Sequence, residues 1–189
     1  MKKASLLYDS LPEGETILLL GQKVMIFVDG SNLLHSAIQA GVKLDYDKLR
    51  TVLVGDGRLV RAYWFGSYRE GDKKQERFYE MLKKRLGYDV TIYKTQRRID
   101  GRTGREYYRE KGVDVALVTE MLQLGFLRAY DTCILVAGDA DYARAVEVVK
   151  RQGLVVIVAA FRANLASRLI EVTPDKIVYL DDIIDHIKL

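Results

Sequence analysis

Apolar side chains recur along this chain in two alternating rhythms. Short, nearly unbroken apolar stretches fall at residues 24–28, 59–65, 89–93, 132–136, 154–160 and 176–180, the pattern of strands buried in a parallel sheet. Between them the apolar positions take helical spacing. The first predicted helix has Ser31 as N-cap and runs through Leu34 and Ile38 to Gly41. Others are predicted at residues 46–53, 72–86 (ending at Gly87), 113–124 (stopping near Gly125), 142–150 and 165–170, with a last one from Asp182. Strands alternating with helices predict an α/β domain whose mostly parallel central sheet is covered on both faces. Residues 1–22 lack a clear period and read as an N-terminal extension that packs on the domain, 23–189, or on a second copy, so a homodimer is an open expectation.

Composition changes this picture little. With 49% hydrophobic and 30% charged residues the chain has the balance of an ordinary soluble domain. The longest early apolar run, residues 17–20, is far too short to cross a bilayer, and no export signal is legible. The single cysteine, Cys133, lies in an apolar strand and fits a buried thiol in a reducing compartment. A cytoplasmic location is the expectation.

Charge adds more. Between residues 94 and 111 seven basic side chains (Lys94, Arg97, Arg98, Arg102, Arg105, Arg109, Lys111) face three acidic ones (Asp100, Glu106, Glu110). The difference of four equals the net charge of the whole chain, +4. Tyr93, Tyr107 and Tyr108 interleave with these cations. Arginines among tyrosines can hold phosphates and stack unpaired bases, which suits a single-stranded RNA partner. The alternative is a solvated loop, with Asp100-Gly101 and Gly104 as turn formers.

Two of the strands run straight into acids: residues 24–28 into Asp29-Gly30-Ser31-Asn32, and 132–136 into Gly138-Asp139-Ala140-Asp141-Tyr142. In open parallel sheets, sites lie beyond the carboxyl ends of strands. Asp114 opens the helix that leads into the second of these strands, so it starts at the same edge. Each acid alone is also a fair turn former or helix cap. Four carboxylates converging there without histidine or cysteine would suit Mg²⁺ or Mn²⁺, and bound ions could activate water for phosphodiester hydrolysis.

At these residues the sequence resembles the NYN domains of the PIN-like nuclease superfamily, and within them the LabA-like proteins. The matching motifs are Val28-Asp29-Gly30-Ser31-Asn32, Lys111-Gly112-Val113-Asp114-Val115 and Gly138-Asp139-Ala140-Asp141-Tyr142, in the family's order, within residues 24–180. The resemblance implies a PIN-like three-layer α/β/α sandwich and Mg²⁺- or Mn²⁺-dependent cleavage of RNA. It implies Asp29, Asp114, Asp139 and Asp141 as catalytic metal ligands, with Asn32 orienting a carboxylate or bound water. Asn32 serves equally well in a local turn hydrogen bond. Two positions depart from the family pattern. Ala140 stands where serine is common, and Tyr142 stands where phenylalanine is frequent, a change of little expected consequence.

The function expected is therefore a metal-dependent endoribonuclease, against a catalytically quiet RNA-binding regulator of the same fold. An aspartyl phosphatase is disfavoured because no second acid stands two residues after Asp29. A dinucleotide site is disfavoured because the first strand lacks the glycine-rich turn that admits a pyrophosphate.

Overall fold

A computed structural model describes residues 19–172 and 174–189. Most of the predicted N-terminal extension thus lies outside the described residues. Six parallel strands form the central sheet: β1 (Lys23–Asp29), β2 (Arg58–Tyr68), β3 (Asp89–Lys94), β6 (Thr132–Val136), β7 (Val155–Ala160) and β8 (Lys176–Tyr179). Their order is β3-β2-β1-β6-β7-β8. The chain winds outward from β1 to one edge, then returns to lay β6 against the other side of β1 and winds to the opposite edge. That reversal places the crevice of the sheet at the carboxyl ends of β1 and β6, where ligands bind in open α/β sheets.

Period-2 alternation divides the strands between two cores. Val24, Ile26 and Val28 of β1 face one side with Ile134 and Val136 of β6. Met25 and Phe27 face the other with Cys133 and Leu135. The first side is covered by helices α1 (Gly30–Gln39), α2 (Tyr46–Val54) and α3 (Lys73–Glu80), which contribute Leu33, Leu49 and Tyr79. The second is covered by α4 (Val113–Phe126) and α5 (Ala143–Arg151), through Leu117, Met121 and Val146. This is the three-layer α/β/α sandwich expected. The remaining helices, α6 (Ser167–Glu171) and α7 (Ile184–Ile187), are single turns. None of the described helices is long and apolar enough to cross a membrane.

Several local expectations are corrected. The N-cap of α1 is Asp29 rather than Ser31: the Asp29 carboxylate accepts the Asn32 N–H at 3.0 Å. Ile38, one of the apolar residues that marked this helix, is 75% exposed. The predicted helix over residues 72–86 is α3 continued by a π-helical turn, Met81–Arg85. α4 runs past Gly125 to Phe126, and the left-handed residue that follows its end is Arg128, with φ 55°. Finally, the basic stretch, for which no strand is predicted, contains an antiparallel hairpin, β4 (Gln96–Ile99) and β5 (Glu106–Arg109). All eight of its residues are exposed, so no apolar alternation announces it.

Candidate active site

The site is assembled where β1 and β6 end. Asp29 is the last residue of β1 and is only 5% exposed. Close packing fixes the turn that follows it. A Cβ on Gly30 would lie 2.3 Å from the indole nitrogen of Trp64, which is fully buried on β2. A comparable constraint acts beyond β6, where a Cβ on Gly138 would meet the Asn164 carbonyl oxygen at 2.1 Å. Asn32 joins the two turns, because its side-chain oxygen accepts the Gly138 N–H at 3.0 Å. This bond spans 106 residues and ties the turn after β6 to the first turn of α1.

The Tyr142 hydroxyl, buried among these turns, stands 2.8 Å from Asp29 Oδ2 and 3.1 Å from Asp114 Oδ1. A phenol carries one proton and donates it to one acceptor at a time. It therefore donates to only one of the two carboxylates at any moment. Burial raises the Asp29 pKa above its ordinary value; the charges of Asp114 and Glu110 push the same way, while hydrogen bonds from Asn32 and Tyr142 oppose them. Burial, with both carboxylates adding, pushes the Tyr142 hydroxyl up as well, so it remains a neutral donor.

Glu110 is the acid that sequence reading missed. It accepts hydrogen bonds from Ser31 (2.7 Å) and from the buried Ser67 (2.5 Å), which bring it to the site. Its position just before Lys111-Gly112-Val113-Asp114 was the available signal, hidden because it counted as one counter-charge in a basic stretch. Tyr142 was missed because its hydroxyl looked incidental. Asp139 and Asp141 lie beyond β6 and are exposed. Asp139 accepts the Asp141 N–H at 3.0 Å and so caps the short 3-10 turn Ala140–Tyr142. The structure thus joins Asp29 with Asp114. Among the described residues, no group of three or more acidic, histidine or cysteine side chains is already arranged to hold a metal ion.

The basic hairpin stands beside the acids. A pocket of about 350 Å³ is lined by Gln96, Arg98 and Arg109 together with Glu110, Lys111, Gly112 and Asp114. The other predicted binding residues are placed differently. Lys94 pairs with Glu70 at 2.5 Å, and Arg97 pairs with Glu106. The Tyr108 ring lies under the Arg69 guanidinium at 4.3 Å. Tyr107 is 48% exposed, and Arg102 and Arg105 are exposed in the turn joining the strands.

Fold and site together define a parallel α/β protein with an acidic crevice at its switch point and a cationic hairpin beside it. Residues 23–181 match the NYN domain, and the chain belongs to that family, with its PIN-like nuclease fold. Proteins of this kind generally bind RNA and generally use divalent metal ions. The chain is 25% identical over 163 residues to the low amplitude and bright protein LabA of Synechococcus elongatus, covering 85% of each sequence. It also resembles the crystal structure of a Vibrio parahaemolyticus protein of unknown function, at a TM-score of 0.70 and 24% identity, over 92% of this chain and 100% of that one.

Proposed function

We propose that this protein is a metal-dependent endoribonuclease whose divalent ion, Mg²⁺ or Mn²⁺, is held by Asp29 and Asp114. The observation that carries this reading is the pair of carboxylates bridged by Tyr142 at the switch point of the sheet. An all-oxygen donor set suits hard cations. Mg²⁺ commonly takes only one or two carboxylates and keeps several waters, so two acids are enough to fit it. Asp139 and Asp141, exposed in the turn that leads into Tyr142, would act through bound water. The ion would supply an activated water and charge stabilisation at the phosphodiester. The chain's own residues hold and orient: Tyr142 fixes the spacing of the two acids, Asn32 locks the turn after β6 to α1, and the cations lining the pocket beside Asp114 hold the strand to be cut.

The test is cleavage of labelled single-stranded RNA and matched DNA in Mn²⁺, Mg²⁺ or EDTA. Metal-dependent RNA cleavage should disappear in Asp29→Asn and in Asp139→Asn, with circular dichroism unchanged. Undiminished cleavage in both variants would remove these acids from the mechanism.

A second reading has its own support. Both Asp29 oxygens are already hydrogen bonded, to Asn32 and Tyr142, and no three-acid group is preformed among the described residues. Those features suit a regulator that binds RNA without cutting it. RNA binding that weakens with salt, without cleavage in any metal, would select it.

A further inference from the structure

The hairpin has two faces, and they are not equivalent. Its register pairs Gln96 with Arg109 and Arg98 with Tyr107, which puts these four side chains on one face; Arg97, Tyr108, Ile99 and Glu106 occupy the other. On the second face the chemistry is already spent internally, Arg97 on Glu106 and the Tyr108 ring on Arg69. On the first face Arg98 donates to the neutral Gln96 amide oxygen, at 2.8 Å. Among the described residues, Arg98, Arg109 and Lys111 have no carboxylate partner in a salt bridge. All three border the pocket that also reaches Glu110 and Asp114.

We infer that this pocket is a subsite for one phosphate of a single RNA strand, held by Arg98, Arg109 and Lys111, with the Tyr107 ring stacking on the adjoining base. The inference rests on the RNA reading above and narrows it. Its volume, about 350 Å³, lies near the lower end of the roughly 300–1,000 Å³ typical of small-ligand sites, which suits one nucleotide and not a duplex. The cations balance the two carboxylates and leave one positive charge in excess, so an anion is drawn to the edge of the acidic pair. Tyr107, half exposed and with no ring partner among the described residues, offers an open π-face that accepts any base.

Binding of a fluorescein-labelled ten-nucleotide oligouridine, titrated by anisotropy in EDTA at several salt concentrations, tests this without any cleavage step. The double variant Arg98→Ala/Arg109→Ala should bind about tenfold or more weakly. Its slope of log affinity against log salt should fall by about 0.7, since each single-strand phosphate contact adds about 0.7 and the subsite holds one. Tyr107→Ala should weaken binding by about fivefold or more with the slope unchanged, because stacking releases no counterions. Arg97→Ala should leave both quantities near the parent values, and a duplex of the same length should bind more weakly than the single strand. These residues are exposed, and circular dichroism will confirm that the variants fold. Equal losses on the two faces, no loss in the double variant, or no RNA binding by the parent protein overturns the subsite. The same face-specific loss in a protein that cuts nothing would uphold the subsite while removing the nuclease reading.

Discussion

Asp29 carries the site's electrostatic tension in one side chain. Its pKa in the folded protein lies above the ordinary 3.8 because it is buried, and because Asp114 and Glu110 repel its charge. Between the ordinary and the folded value, the folded form binds more protons than the unfolded chain, so stability falls as pH rises through that window. Above it the cost is fully present. Asp29→Asn removes the ionisation while keeping an acceptor for the Asn32 N–H. It should raise stability at neutral pH by about 1 kcal/mol, or about 2–4 °C in Tm, while abolishing metal-dependent cleavage. Thermal melts at a series of pH values check this, and the advantage should shrink as pH falls toward the ordinary carboxylate range. Tyr142→Phe runs the other way. It leaves Asp29 Oδ2 buried without its donor and should destabilise by about 1–3 kcal/mol. Calorimetric titration should also show weaker Mn²⁺ binding, because nothing then sets the distance between the two carboxylates.

At the level of elements, the sequence was informative wherever burial imposed a pattern. β1 and β6 are unbroken apolar runs because both faces of the central strands are covered, and their ends located Asp29 and Asp139 directly. The cap of α1 was less legible. Apolar spacing fixes where a helix lies, while Asp29 and Ser31 are both good caps, and only the fold shows that Ser31 turns to Glu110 instead. The hairpin was illegible for a related reason: its four-residue strands are wholly exposed and carry no period. Two isolated strands are marginal on their own, so this hairpin should exchange its amide hydrogens well before β1 and β6. Replacing residues 96–109 by a short glycine-serine link should leave the Tm within a few degrees of the parent while RNA binding is lost. A collapse of the Tm would show that the hairpin supports the domain. The turn after β6 is the opposite case, since Gly138→Ala places a methyl group against the Asn164 carbonyl. Chemical denaturation should report a loss of about 1–3 kcal/mol, as for overpacking elsewhere.

For the molecule as a whole, alternating strands and helices gave the parallel sandwich, and the carboxyl-edge rule pointed to the edge at which Asp29 and Asp114 meet. The rule could not say how closely the acids meet. That depends on side-chain direction after each turn, which brings Asp29 and Asp114 to one hydroxyl and leaves Asp139 and Asp141 in solvent. Cys133 offers a probe of global opening. It is fully buried at the centre of the sheet, and burial pushes its thiol pKa up, so a thiol reagent should label it no faster than the protein unfolds. Labelling much faster than unfolding would reveal a local opening around β6. The seam between β1 and β6 also governs when the site can exist. Asp29 lies near the start of the domain, but the hydroxyl that pairs it with Asp114 comes 113 residues later, and Asn32 finds its partner Gly138 106 residues beyond itself. A ribosome must therefore release both halves of the sheet before Asp29 and Asp114 can be brought to one hydroxyl. On the nuclease reading proposed above, a nascent chain that has not yet released Tyr142 has no site with which to cut the message beside it.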